Sequence, residues 1–118
     1  MILVDASIWI DHLRATHRGL SDLLLNEQVL CHPFVVGELA CGALKRRGEI
    51  LVLLRNLPQA PVLESDDVLH FVEAHALMRS GLGWVDVHLL ASAVLVGQRF
   101  WTADRRLAQA ARRLGLAA

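Results

Sequence analysis

Short apolar runs alternate along the chain with longer stretches in which apolar residues recur at helical spacing. That alternation predicts an α/β domain on a mainly parallel sheet, because parallel strands are joined by helical crossovers. Ile2 to Val4 reads as a first strand and Val29 to Cys31 as a second. PVLE after Ala60 offers a brief third, and RFWT after Gln98 a fourth. SIWIDHLR starts at Ser7, a candidate cap, and GLSDLLLNE forms another short helix from Gly19. Pro33 suits the first turn of a helix FVVGELACGALK, where its missing N–H costs little. GEILVLLRNL follows, stopped before Pro58 and Pro61.

Ser65, backed by Asp66 and Asp67, supplies a cap and an acidic first turn for a helix through about Arg79, with Val68, Val72 and Ala76 on one side. From Asp86, DVHLLASAVLV is apolar on both sides, which places that helix in the core until Gly97 closes it. The last helix buries Leu107, Ala110, Ala111 and Leu114 and turns Arg105, Arg106, Gln109, Arg112 and Arg113 outward.

With 118 residues, 54% hydrophobic and 20% charged, the chain predicts one domain over 1–118 with a well-filled core. No apolar stretch is long enough to span a bilayer, and the N-terminus lacks a signal-peptide pattern, so a cytoplasmic protein without membrane contact is expected. Cys31 and Cys41 form no C-x-x-C pair, and the scattered histidines offer no zinc spacing; both cysteines read as reduced core residues. Twelve basic and twelve acidic residues cancel, so any affinity for nucleic acid must rest on local charge. Arg14, Lys45, Arg46, Arg47, Arg105, Arg106, Arg112 and Arg113 are the available phosphate contacts, and equally a solvated face. Trp9, Trp84 and Trp101 suit either the core or base stacking.

Four acids interrupt apolar surroundings near strand ends or early in the helices that follow: Asp5, Glu38, Asp86 and Asp104. In open parallel sheets the carboxyl ends of the strands line the ligand crevice, so acids placed by this connectivity can converge there. Asp5, Asp86 and Asp104 also suit ordinary helix N-caps, and Glu38 a solvent-facing helix position. Gathered together, the four would repel one another unless a cation neutralised them. Carboxylates without clustered Cys or His favour a hard ion, Mg²⁺ or Mn²⁺, whose natural chemistry is phosphodiester hydrolysis. Ser7 and Thr102, two residues from Asp5 and Asp104, are candidates to orient those carboxylates or a metal-bound water.

VDASIWID at the start, the Glu inside FVVGELACGAL, GWVDVHLLASA and the closing WTADRRLA resemble the PIN-domain ribonucleases, and specifically the VapC toxins of type II toxin–antitoxin systems. The resemblance covers nearly the whole chain. It implies a three-layer α/β/α PIN-like fold and an acidic pocket for Mg²⁺ or Mn²⁺, formed by Asp5, Glu38, Asp86 and Asp104 with Ser7 and Thr102 in support. Asp5 and Asp104 would contact metal directly, and Glu38 and Asp86 would bind it or orient the attacking water. The implied activity is endonucleolytic cleavage of RNA to 5′-phosphate and 3′-hydroxyl ends. The implied partners are a cognate VapB-like antitoxin and a second copy in a homodimer. This chain departs from some relatives in placing Arg105 and Arg106 directly after Asp104, where others carry further acids or Asn.

Two other enzyme classes fail at named positions. A phosphate-accepting receiver wants a paired acid beside the first, an Asp after the middle strand and a late Lys; here Ala6 follows Asp5, Glu64 ends the third predicted strand and Lys45 is the last lysine. A haloacid-dehalogenase-type phosphatase needs an Asp where Ser7 stands. The remaining alternative is a catalytically inactive PIN-like module that only binds protein.

Overall fold

The computed structural model describes residues 1–118. Its elements run β1 (Ile2–Val4), α1 (Ala6–Arg14), α2 (Arg18–Leu25), β2 (Val29–Leu30), α3 (Pro33–Ala40), α4 (Arg47–Asn56), α5 (Ser65–Ala74), α6 (Trp84–Val96), β3 (Arg99–Trp101) and α7 (Arg105–Arg113). The strands order as β2-β1-β3, all parallel, with Ile2 opposite Val29 on one side and Arg99 on the other. A single parallel bridge extends each edge, Cys31 with Gln59 beyond β2 and Phe100 with Ala117 beyond β3. From Gln59 through β2, β1 and β3 to Ala117, the layout is that of a five-segment parallel sheet with its outer members reduced to one pair each.

The expected third strand is therefore displaced. Pairing occurs at Gln59, just ahead of PVLE: Cys31 donates its N–H to the Pro58 carbonyl (2.8 Å) and Ala60 donates to the Cys31 carbonyl (2.7 Å). Pro58 has no N–H to extend the pairing backward to Val29, and Pro33 has none to extend it forward to the Ala60 carbonyl, so pairing stops after one bridge and Pro61 to Glu64 forms no strand.

Parallel crossovers are right-handed, so direction along the sheet decides which face each helix covers. The steps β1 to β2 and β2 to Gln59 run one way and set α1 to α4 on one face. The steps Gln59 to β3 and β3 to Ala117 run back and set α5 to α7 on the other. Contacts of α1 with α3, α3 with α4, and α5 with α6 agree with this three-layer arrangement. The direction reverses between β1 and β3, so the crevice of this sheet opens above the ends of those two strands.

The main core of 22 buried residues is centred on β1 and packed from both faces, with Leu3, Val4, Trp9, Leu89, Leu90 and Phe100 among its members. Val68, Leu77 and Val87 form a smaller cluster between α5 and α6. Leu77 explains why α5 stops at Ala74 and not near Arg79. The chain turns through Ala76 at φ +50°, Leu77 donates to the Val72 carbonyl (2.9 Å) and Ala76 to that of Glu73 (3.2 Å), a Schellman closure that drives Leu77 into the cluster. Burying Leu77 outweighs the strain at Ala76.

The helix expected from Pro33 to Lys45 stops at Ala40, where Gly42 donates to the Leu39 carbonyl (3.1 Å) and the chain turns at a poor helix former; other boundaries moved by a residue or two. The N-cap of α1 is Asp5 and not Ser7, that of α5 is Glu64 and not Ser65, and α2 begins at Arg18. In α6, Val87 to Ala93 are buried as expected, but Val94 and Leu95 emerge before Gly97 closes the helix at φ +66°. Cys31 is buried; Cys41, at the exposed C-cap of α3, is not a core residue as predicted.

Candidate active site

Asp5 leaves β1 directly into the crevice, and only 6% of it is exposed. It stands at the N-cap position of α1, yet its side chain caps nothing. Its Oδ2 instead accepts from Ser7 Oγ (2.8 Å) and from Thr102 Oγ1 (2.7 Å), the latter at the end of β3. Both hydroxyls also accept, Ser7 from the Ala103 N–H and Thr102 from the Asp104 N–H, each at 3.0 Å, and they lie 3.2 Å apart. Two hydroxyls thus tie the ends of β1 and β3 around one carboxylate, and no protein group donates to Asp5 Oδ1.

The other acids arrive from three helices. Asp104 is a true N-cap of α7, its Oδ1 accepting the Leu107 N–H (3.0 Å). Asp86, in the first turn of α6, accepts the Gly83 N–H on Oδ2 (2.9 Å). Glu38, in the middle of α3, has no hydrogen-bond donor in the protein. Each aspartate commits one oxygen to the fold and keeps the other uncommitted, while Glu38 keeps both. The ordinary capping role is thereby real for Asp104, related for Asp86 and absent for Asp5.

Electrostatics place all four in one field. Glu38, although an exposed residue, has its pKa raised first by the protein around its carboxyl group, then by the charges of Asp5 and Asp86. Asp86 is half-buried and also raised: burial is the largest cause, the Gly83 N–H opposes it, and Asp5 and Asp104 add to it. No basic side chain relieves this, since the sole ion pair of the molecule is Arg46 with Glu49 (2.6 Å).

An all-oxygen set of uncommitted, mutually repelling carboxylates is the donor chemistry of a hard divalent cation, and the residues fit one. As the side chains stand, no three His, Cys, Asp or Glu close on a common point.

The basic residues divide. Arg46 is held by Glu49, and Arg47 donates to the Ala40 carbonyl (3.3 and 3.2 Å). Arg105 and Arg106 open α7 beside Asp104, whereas Arg112 and Arg113 lie at its far end. Arg14 ends α1 and Lys45 precedes α4, both exposed. Arg106 also reaches across to the loop before α6, where its side chain occupies the space that a Cβ on Gly81 would need; that glycine holds φ +81°.

Sequence reasoning overlooked one feature here. A groove of about 720 Å³ opens beside the acids, with Phe34, Cys41, Trp84 and Val85 in its walls and Glu38 at its border. Trp84 and His88, one helical turn apart on α6, were its legible signal, but their meeting with Phe34 of α3 depends on the tertiary fold.

A parallel-sheet crevice carrying these acids defines a PIN-type domain, and the PIN domain family matches residues 2–113. The chain belongs to that family. Among curated proteins it is similar to ribonuclease VapC32 of Mycobacterium tuberculosis, found for two strains, at 49% identity over 118 residues that cover 99% of this chain and 95% of the relative.

Proposed function

We propose that residues 1–118 form a single nuclease domain that hydrolyses RNA phosphodiester bonds endonucleolytically with Mg²⁺ or Mn²⁺, as the toxin of a toxin–antitoxin pair. The observation that carries this reading is the set of four acids in one field, three of them each keeping one uncommitted oxygen. Similarity to ribonuclease VapC32 over nearly the full length of both chains supports it.

Asp5, Glu38, Asp86 and Asp104 are the residues assigned to hold the ion. When bound, the ion neutralises the approaching phosphate, acidifies a water and stabilises the leaving oxygen. The chain's own contribution is placement. Ser7 and Thr102 fix Asp5 so that its Oδ1 faces the crevice in one orientation. Asp104 and Asp86 are each held through one oxygen by a backbone N–H, while Glu38 alone is free to turn toward the ion or to orient the attacking water. Arg105 and Arg106 are the basic residues assigned to meet a phosphate flanking the scissile one; their position at a helix N-terminus opposes the macrodipole, and Arg106 also packs over Gly81.

The decisive experiment incubates the purified protein with total RNA in Mg²⁺ or in chelator. Cleavage confined to the metal arm, with 5′-phosphate ends, is expected; intact RNA in both arms leaves only a protein-binding module. Co-purification with a small protein partner tests the antitoxin, and light scattering tests the homodimer. No helix is long and apolar enough to cross a membrane, and RNA as substrate implies a cytoplasmic site of action.

A further inference from the structure

The three tryptophans differ sharply in what the fold leaves available. Trp9 is buried, at 1% exposure, and Trp101 is half-buried with its ring edge-on to His17 at 5.1 Å. Trp84 is 44% exposed at the first position of α6, one residue short of Asp86's neighbour Val85.

Its exposure is not looseness. Trp84 packs perpendicular to His88 (4.7 Å, 88°), His88 packs on Phe34 (4.8 Å, 62°), and Phe34 packs on His32 (5.1 Å, 65°). The lower end of this ladder is rigid. His32 Nδ1 accepts the Phe34 N–H (2.9 Å), so its Nε2 carries the proton and donates to Ser92 Oγ (3.1 Å), which donates to the Pro61 carbonyl (2.6 Å). Burial, then the neighbouring His88, lowers the His32 pKa to about 4, keeping the ring neutral and the chain of donors intact at physiological pH. His88 is itself buried. The exposed indole is thus the top of a fixed stack.

The groove beside it is lined by uncharged groups apart from Glu38, and nothing stands within 4 Å of a Cβ placed on Gly37, one residue from Glu38 on α3. A phosphate is repelled by Glu38; a neutral planar ring is not. Glu38 borders both groove and acid cluster, and Asp86 lies about 3 Å farther along the same helix axis than Trp84. A group seated here adjoins the scissile phosphate.

We propose that Trp84 is the stacking platform of a base subsite, seating the nucleobase next to the phosphodiester that is cut and biasing the choice of base through stacking strength. The inference rests on the nuclease reading, and its chemistry is that of aromatic platforms for single-stranded nucleic acid, where stacking contributes without hydrogen-bond readout. Pre-oriented rings limit the entropy lost on binding.

The test uses the full-length protein and short single-stranded RNAs that differ only at the nucleotides flanking the cleavage site. Trp84→Ala is expected to raise KM roughly 5- to 100-fold, to leave kcat within about threefold, and to flatten the base preference; Trp84→Phe is expected to recover most of both. In chelator, where nothing is cut, RNA quenches tryptophan emission of the wild type, and Trp84→Phe loses that quenching. Unchanged KM and preference in Trp84→Ala, or quenching that persists in Trp84→Phe, overturns the proposal. So does emission showing Trp84 already covered by a second copy at assay concentration. A wild type that is quenched by RNA but never cuts it sinks the nuclease reading alone.

Discussion

On the strand side of the crevice, Asp5 is gripped by two hydroxyls that are themselves gripped by backbone N–H groups, and Asp104 is locked as a cap. On the helix side, Glu38 accepts no hydrogen bond and Asp86 a single one from Gly83. Both sides carry carboxylates that feel one another's charge, yet Asp5 is held by two side-chain hydroxyls while Glu38 is held by none. On the proposed metal-dependent reading, the strand side would fix where an ion sits and Glu38 would adjust to it.

Breaking the strand side should have the largest consequence. Asp5→Asn keeps an oxygen that can still accept from Ser7 and Thr102, so the fold should survive by circular dichroism while cleavage falls by about 10²–10³-fold or more. Ser7→Ala or Thr102→Val removes one hydroxyl of the grip; steady-state kinetics should record a loss of roughly 10–100-fold, and urea unfolding a cost of about 1 kcal/mol.

Gly81→Ala probes the loop that carries Gly83 to Asp86. A side chain there is strained at φ +81° and must displace Arg106, so stability should drop by about 1–2 kcal/mol. Asp86 placement would loosen with it. An unchanged unfolding midpoint would show that Arg106 yields freely.

The smallest effect sharpens the helix side. Glu38→Gln removes a repelling charge, so without metal at pH 7 it should raise Tm by about 1–4 °C while lowering activity. The pH dependence has a definite sign. Glu38 and Asp86 hold protons to higher pH folded than unfolded, so their contribution to stability is complete below the ordinary carboxylate range and is lost as pH rises through their raised values. Thermal melts of the metal-free wild type should therefore gain on mild acidification, and added Mg²⁺ should shrink that gain.

Much of the fold is legible from spacing. Hydrophobic period marks every helix and a strand end marks Asp5 and Asp104, whereas Glu38 and Asp86 lie inside helices and stand out by their apolar neighbours and the family resemblance. The hydroxyl grip was suggested by Ser7 and Thr102 lying two residues from their acids. What escaped depended on contacts distant in sequence. Pro58 and Pro33 confine the outer pairing to Gln59, Leu77 ends α5 early for the sake of a small core, and Phe34 meets His88 only once α3 and α6 pack. A cap is the ordinary role of a carboxylate before a helix; Ser7 together with Thr102, 97 positions away, diverts Asp5 from it.

The lone bridges at Gln59 and Ala117 bear on how the molecule behaves in a crowded cell. Each takes up hydrogen-bonding capacity that a bare outer strand would present, and neither is long enough to act as a template for a foreign strand. A small protein whose ribbon is only three true strands wide thereby offers little edge for lateral recruitment into fibrils, and replacing Pro58, which would let the Gln59 margin lengthen, is expected to weaken that protection.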